Sequence, residues 1–171
     1  MNFKISKRVF YSALNTVSRA ISSNSPLPAL SGIKIEVNQD SIVLTGSDSD
    51  ISIQTTLKGS DEEINLIVKE TGSIVIEAKY ILEIVRKIDA DEIELEIVDG
   101  SLTKISGMSA EFRINGMRAL DYPAIDFTRP GQQFEMDADV LLKVISQTTF
   151  ATSDRETRPV LTGVNMKCSG K

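Results

Sequence analysis

Hydrophobic residues recur with a helical period over residues 7–22, directly after a short alternating segment at 3–6. The apolar stripe of this helix consists of Val9, Phe10, Ala13, Leu14, Val17 and Ile21. Ser6 precedes the stripe and is the candidate N-cap. The opposite face consists of Tyr11, Ser12, Asn15, Ser18, Arg19 and Ser22. The pattern therefore predicts a strand followed by an amphipathic helix whose polar face carries no acid.

Alternating positions further along the chain predict an antiparallel sheet and a second helix. The predicted strands cover residues 30–37, 41–46, 51–57, 73–77, 92–98, 101–107 and 110–116. Asp99-Gly100 is a two-residue hairpin signal. The second helix is predicted over 79–88, with the apolar stripe Ile81, Leu82, Val85 and Ile88 and the polar face Lys79, Glu83, Arg86 and Lys87. Two amphipathic helices that cover one face of an antiparallel sheet define an α+β fold.

The beginning of the chain recurs after a connector at 117–131, which has no clear period. A shift of 131 residues, without a gap, aligns Val140, Leu141, Val144, Ile145 and Thr148 with the first helical stripe. The same shift aligns a P-x-L-[ST]-G element at 28–32 with one at 159–163. We therefore predict repeated domains, with the first over 1–125 and the truncated start of the second over 126–171. Since the second copy has little sheet to cover its stripe, we expect the chain to be a fragment of a longer one.

Charge is distributed unevenly along the sequence. The formal net charge of −5 by itself argues against a nucleic-acid partner. Residues 1–35, however, contain five basic residues and no acidic one, whereas the remaining chain contains 14 basic and 24 acidic residues. This asymmetry is typical of one surface that tolerates a polyanion on an otherwise acidic body. A chance run of basic residues on a solvated face is the alternative interpretation.

Composition excludes several kinds of chemistry. The chain contains no His, so a Ser-His-Asp triad is impossible within it and the commonest transition-metal ligand is absent. Neither a GxxxxGK[ST] nor a GxGxxG motif occurs. The acidic residues at 48–50 and 61–63 lack ligand spacing, so we expect neither a metal nor a cofactor. The single cysteine, Cys168, is more typical of a small buried hydrophobe than of a nucleophile.

Localisation signals are also missing from the sequence. No secretory signal is visible, and the longest apolar runs are far below the roughly 20 residues that span a bilayer. One cysteine cannot form an internal disulfide framework. We therefore expect a cytoplasmic protein with no membrane partner.

Five segments, in this order along the chain, resemble those of a known family: SSNSPLPALSGIKIEV, VLTGSDSDISIQ, EAKYILEIVRKI, FRINGMRALDYP and TRPVLTGV. Together they resemble the bacterial DNA polymerase III beta subunits, the DNA sliding clamps, over essentially the whole chain. The resemblance implies the DNA-clamp fold with three similar domains per full-length chain. It also implies a homodimer ring, closed head to tail, that encircles double-stranded DNA with helices lining the hole. Such a ring is a non-catalytic processivity factor that contacts DNA without sequence preference.

The resemblance further implies partners and contact residues. The partners are the DNA polymerase III alpha subunit, a clamp loader, and other polymerases and repair factors that dock by short peptides. The implied DNA contacts are Asn24, which replaces the family's common basic residue, Lys79 and Arg155. Arg19, on the acid-free helix face, is a further candidate contact. Leu161 matches one wall of the partner-peptide pocket, and Arg158 lies close to it in sequence.

Each candidate residue also has a structural interpretation. Lys79 belongs to a polar helix face that is compatible with simple solvation, and Arg19 is placed to favour the helix dipole. The remaining alternatives are ion pairs of Arg155 and Arg158 with Asp154 or Glu156, and a strand-core position for Leu161. Two other classes of protein stay open beside the clamp. One is a protein-interaction scaffold with no DNA role, and the other is a carboxylate-dependent hydrolase.

Overall fold

The computed structural model describes residues 1–22, 25, 27–128, 131, 134–155 and 157–167. The chain divides into two compact units, Met1–Asp126 (unit 1) and Phe127–Lys171 (unit 2). Asn24 and Cys168, which the sequence singled out, lie outside the described residues.

Unit 1 alternates strands with two helices. Its elements are β1 (Asn2–Ser6), α1 (Lys7–Ser18), β2 (Gly32–Val37), β3 (Ser41–Ser47), β4 (Ser52–Lys58), β5 (Ile67–Glu70), β6 (Gly72–Glu77), α2 (Ala78–Lys87), β7 (Glu92–Asp99), β8 (Leu102–Gly107) and β9 (Ala110–Asn115). All strand pairs are antiparallel. The α+β fold class predicted from the sequence is confirmed.

The strands form two sheets rather than the single sheet that the pattern suggested. One sheet has the order β5-β1-β7-β8-β9 and the other the order β4-β3-β2-β6. Apart from β5, the unit consists of two halves with the same order of elements: one strand, one helix and three strands. The first strand of each half pairs with the second strand of the other half, β1 with β7 and β6 with β2. Neither half therefore completes a sheet without the other.

The core lies between the two sheets and the helix pair. α1 contacts α2 and strands of both sheets. The stripe residues Phe10, Leu14 and Val17 are fully buried, and the Phe10 ring meets the Phe3 ring edge to face at a centroid distance of 5.7 Å. Complete burial of a side chain of this size stabilises the fold by about 1.5–3 kcal/mol. The helical stripe read from the sequence is thus the surface that joins the sheets.

One glycine allows the end of α1 to lie directly on β3. A Cβ atom on Gly46 would lie 2.3 Å from the Val17 carbonyl oxygen, which is closer than atoms in proteins approach. Any side chain at this position would push the last turn of α1 away from the sheet. The position therefore requires glycine for space rather than for backbone conformation.

Three local predictions were wrong in detail, and one strand was missed. α1 ends at Ser18 instead of Ser22, because the N–H groups of Ala20 and Ile21 bond to carbonyls three residues back instead of continuing the α-helix. Leu30 belongs to a 3₁₀ turn at Pro28–Ser31, not to a strand, since proline starts the turn. β5 was not predicted.

The hairpin between β7 and β8 is also displaced by one residue. Asp99 pairs with Leu102, so the loop consists of Gly100 and Ser101 rather than of Asp99-Gly100. Gly100 has a φ of +54°, a conformation that glycine adopts without strain.

Part of the predicted connector belongs to unit 1. Met117 and Val75 exchange backbone hydrogen bonds of 2.7 and 3.0 Å, which fixes the chain beyond β9 against β6. Tyr122 then packs with Ala29, Leu30 and Val75 in a small second core. Burial raises the pKa of Tyr122 to about 12.

Unit 2 contains one helix, α3 (Ala138–Ser146), and 3₁₀ turns at Thr149–Ala151 and Pro159–Leu161. The Asp137 carboxylate caps α3 by accepting hydrogen bonds from the N–H groups of Asp139 and Val140. α3 begins 131 residues after α1, and the turn at Pro159 begins 131 residues after the turn at Pro28. In the described part of unit 2, no strand covers the helix. None of the described helices is long and apolar enough to cross a membrane.

Candidate nucleic-acid interface

The two helices of unit 1 lie side by side and run in opposite directions. At the start of α1, the Lys7 N–H donates to the Asp91 carbonyl at 2.8 Å and the Lys7 ammonium donates to the Ile88 carbonyl at 2.5 Å. The first turn of α1 therefore lies beside the last turn of α2.

At the other end of the pair, Val17 in the last turn of α1 lies against Gly46 of β3. Strand β2 lies beside this part of β3, and its first residue, Gly32, pairs with Glu77, which directly precedes α2. Arg19, the C-cap of α1, and Lys79, in the first turn of α2, are therefore at the same end of the helix pair.

The outward face of α1 is polar and carries no acid. Ser12, Asn15, Thr16 and Arg19 are exposed on this face. The Thr16 and Ser18 hydroxyls donate to carbonyls of the preceding turn, at 3.0 and 2.9 Å. Their hydroxyl hydrogens are therefore already used and are not free to bind an anion. α1 itself therefore contributes no acid to this face, as predicted from the sequence, and its charged groups there are Arg19 and Arg8, of which Arg8 is paired with Glu63.

Folding neutralises much of the basic surplus of residues 1–35. Lys4 forms a salt bridge with Glu92, Arg8 with Glu63 and Lys34 with Glu36. Lys7 uses its ammonium group on the Ile88 carbonyl. Because several cations of residues 1–35 are paired in the folded unit, the charge asymmetry of the sequence does not by itself identify which of them are available to a polyanion.

Arg19 and Lys79 differ from these neutralised cations. Neither side chain forms a salt bridge or hydrogen bond with any residue that the structure describes. The Lys79 ammonium lies 5.8 Å from the centroid of the Tyr80 ring, within range of a cation–π contact. Both side chains are exposed, so they are available to an anion at one end of the helix pair.

The basic residues at the other end of α2 are paired. An Arg86 guanidinium nitrogen lies 2.9 Å from both carboxylate oxygens of Glu83, and the Lys87 ammonium lies 3.2 Å from one of them. Hydrogen bonds from Arg86 and then Lys87 lower the pKa of Glu83. The structural interpretation of a solvated, internally paired helix face therefore fits Arg86 and Lys87 better than it fits Lys79.

The far side of the first sheet has a different character. Ile93 and Leu95 of β7 are buried, so the alternate residues Glu94 and Glu96 face away from the core. Glu94 binds Lys69 and Glu96 binds Lys104, each at 2.6 Å. These hydrogen bonds lower the pKa of Glu94 and raise that of Lys104. The cations of this face are already matched by carboxylates.

The predicted site residues of unit 2 lie within one short segment. Arg155 follows the turn at Thr149–Ala151, and its N–H donates to the Ser153 hydroxyl at 3.1 Å. The carbonyl of Arg158 accepts the Leu161 N–H at 2.9 Å and starts the next turn. Neither arginine forms a salt bridge with Asp154, whereas Glu156 lies outside the described residues.

Leu161 lines an open groove of about 810 Å³ within unit 2. The groove is bordered by Thr148, Ala151, Thr152, Pro159, Val160, Leu161, Gly163, Val164 and Asn165. Leu161 is 54% exposed and lies in a 3₁₀ turn, so its interpretation as a strand-core residue is wrong. Arg158 does not belong to the residues that border the groove.

Two surface features of unit 1 were not predicted from the sequence. β4 and β9 are sheet edges, and β9 presents Phe112 with 38% of its surface exposed. Strand order depends on long-range pairing, so no local signal identifies an edge. The second feature is the attachment of Arg86 and Lys87 to Glu83, for which the i,i+3 and i,i+4 spacing is a visible signal.

Within the described residues, no group of three or more Cys, Asp or Glu side chains is arranged to hold a metal ion.

The organisation of unit 1 has close counterparts among solved structures. The DNA polymerase III beta chain of Streptococcus pneumoniae matches with a TM-score of 0.91 at 32% identity, over 95% of this chain and 43% of that one. The DNA polymerase sliding clamp of Bacillus subtilis matches with a TM-score of 0.91 at 39% identity, over the same shares. Unit 1 therefore has the fold of a sliding-clamp domain.

Sequence comparison identifies the family. Residues 1–126 match the model of the DNA polymerase III beta subunit, N-terminal domain. The beta sliding clamp of Halalkalibacterium halodurans is 43% identical over 169 residues, which are 98% of this chain and 44% of that protein. The beta sliding clamp of Bacillus subtilis is 40% identical over the same shares. The chain belongs to the DNA polymerase III beta subunit family, and it spans less than half the length of these relatives.

Proposed function

We propose that this chain is the part of a sliding clamp that contains its first domain and the start of its second, as the predicted boundaries 1–125 and 126–171 describe. The full-length protein acts as a non-catalytic processivity factor of the replicative DNA polymerase in the bacterial cytoplasm. The observation that carries this proposal is the helix pair of unit 1. Helix α1 contributes no acid to its exposed face, and Arg19 and Lys79 have no salt-bridge partner among the described residues, whereas Lys4, Arg8 and Lys34 are paired.

Sparse cations suit a protein that must slide. Each phosphate that a Lys or Arg neutralises steepens the dependence of log K on log salt by about 0.9. Phosphate contacts carry no base information, so movement along the duplex costs no sequence-specific bonds. We infer that Arg19, Lys79, Asn24 and Arg155 provide such contacts. The unpaired state of Arg19 and Lys79 among the described residues supports their part in it.

Retention then depends on a closed ring rather than on affinity. The edges β4 and β9 offer unpaired backbone groups to another strand, and exposed Phe112 adds an apolar contact on β9. A head-to-tail interface closes into a ring when its rotation permits. We infer a homodimer ring of full-length chains around double-stranded DNA, opened and closed by a clamp loader.

Partner proteins are inferred to dock on the groove of unit 2. Leu161 supplies an exposed apolar wall, and Arg158 is close to it in the chain. A short apolar peptide of the polymerase alpha subunit, of another polymerase or of a repair factor has the chemistry to fill such a groove. The proposed role of Arg158 is a rim contact, because it does not border the groove itself.

The decisive experiment compares retention of the full-length clamp on nicked circular DNA and on the same DNA after linearisation. We expect the loaded protein to remain on the circle and to leave the linear molecule. The double variant Arg19→Ala/Lys79→Ala should keep this dependence on DNA ends but lower the salt slope by up to about 1.8. Lys104→Ala, on the far sheet face, is the matched control and should leave the slope unchanged. Retention independent of DNA ends would favour a protein-interaction scaffold instead.

A further inference from the structure

The two helices of unit 1 contribute a single carboxylate between them, because α1 contains no acid. Glu83 is the only acid between Ala78 and Lys87, and its side chain is 48% exposed. It holds Arg86 through both carboxylate oxygens at 2.9 Å and Lys87 through one oxygen at 3.2 Å. A single acid therefore occupies two cations on α2.

A carboxylate and a DNA phosphate bind guanidinium groups in the same way. Both offer two oxygens to the nitrogens of arginine, and both accept from the lysine ammonium group. A cation that already has such a partner must release it before it contacts a phosphate. Its net gain from DNA is therefore smaller than that of an unpaired cation.

The two ends of the helix pair differ in this respect. Arg19 and Lys79 have no such partner among the described residues, whereas Arg86 and Lys87 share Glu83. Asp89 borders the same groove as Arg86 but forms no salt bridge with it. The occupied state of Arg86 and Lys87 thus depends on Glu83.

We propose that Glu83 competes with DNA phosphates for Arg86 and Lys87 and so limits how strongly the helix pair binds the duplex. The inference rests on the proposed function, because it requires that this surface faces DNA. Glu83 acts through its two basic neighbours, so it is a positioning residue rather than a DNA contact. Its function is to keep phosphate contacts few and short-lived, which a sliding protein needs.

Glu83→Gln tests the proposal, with Glu96→Gln as a matched control. Both substitutions remove one negative charge. Glu83→Gln releases Arg86 and Lys87, and Glu96→Gln releases Lys104 on the face of β7 that points away from the core. The measurement is the binding constant of the full-length clamp for double-stranded DNA as a function of salt. We expect Glu83→Gln to steepen the slope of log K against log salt by about 0.9–1.8, and Glu96→Gln to leave it unchanged.

Two further measurements make the outcome specific. Glu83→Gln should slow one-dimensional diffusion on DNA, and the triple variant Glu83→Gln/Arg86→Gln/Lys87→Gln should restore the original salt slope. Equal slopes for Glu83→Gln and the unsubstituted clamp, with the dependence on DNA ends intact, would overturn this inference alone. Loss of that dependence in the unsubstituted clamp would overturn the proposed function together with it.

Discussion

Units 1 and 2 contain the same sequence pattern, yet they bury it to different extents. Leu14 on α1 is fully buried, whereas its counterpart Ile145 on α3 is 37% exposed. In the following turn, Leu30 is 1% exposed and its counterpart Leu161 is 54% exposed. Each pair is separated by 131 residues and occupies the same position in a helix or turn.

This difference distinguishes structure that neighbouring residues determine from burial that requires residues distant in the sequence. The proline-led turn recurs in both units because proline geometry depends on neighbouring residues. The helix also starts at the same position in both units, although only α3 has a side-chain cap. Burial of the stripe does not recur. In unit 1 it depends on strands of both sheets, and the described part of unit 2 contains no strand. The helix and the turn of the repeat therefore form in both units, while its strands and its core depend on residues far away in the sequence.

The largest expected effect comes from removing one stripe residue in each unit. Leu14→Ala should lower the free energy of unfolding of unit 1 by about 2–5 kcal/mol, because it leaves a cavity in a close-packed core. In the 171-residue chain, Ile145→Ala should change the stability of unit 2 by less than about 1 kcal/mol, since its side chain already contacts solvent there. Amide hydrogen exchange resolves the two units and gives both values. Equal losses would mean that the α3 stripe is packed as tightly as that of α1.

A smaller effect is expected at the glycine of the repeated P-x-L-[ST]-G element. A Cβ on Gly32 would lie 2.5 Å from a Val75 methyl carbon and 3.0 Å from the Ile76 carbonyl oxygen, whereas nothing lies within 4 Å of one on Gly163. Gly32→Ala should therefore destabilise unit 1 by about 1–3 kcal/mol through overpacking.

Gly163→Ala supplies the matched measurement. It should be neutral or slightly stabilising, within about 0.5 kcal/mol, because the site is open. Thermal unfolding followed by circular dichroism compares the two variants. If Gly163→Ala proved as harmful as Gly32→Ala, the contrast between a crowded and an open copy of the element would fail.

The features of unit 1 that were predicted from the sequence are those that depend on neighbouring residues. The positions of α1 and α2, the meander of β2, β3 and β4 and the buried stripe of α1 follow from periodicity. β5 escaped because it is a short edge strand with no buried residue, so hydrophobic alternation is absent. The split into two sheets escaped because it is decided by pairing between the first strands of the two halves, which no local pattern records.

The candidate interface was predicted less completely than the fold. The acid-free face of α1 follows directly from helical spacing, but the pairing of Arg8 with Glu63 and of Lys4 with Glu92 joins residues far apart in the chain. A one-dimensional charge count treats these cations as available, although folding neutralises them. The contacts of Asn24, Lys79, Arg19 and Arg155 with DNA, and of Leu161 and Arg158 with partner peptides, stay predictions.

The smallest expected effect concerns the first turn of the repeated helix, where the two units differ in the opposite direction. Asp137 caps α3 with hydrogen bonds of 2.9 and 3.3 Å, whereas Ser6, at the same position before α1, makes no side-chain cap. Asp137→Ala should therefore cost α3 about 1 kcal/mol, which corresponds to roughly fivefold faster exchange of the Asp139 and Val140 amides. Ser6→Ala should change exchange in the first turn of α1 much less, since packing on both sheets holds that helix in place. A larger effect at Ser6 than at Asp137 would show that capping, rather than burial, fixes α1, and would reverse the distinction between the two units.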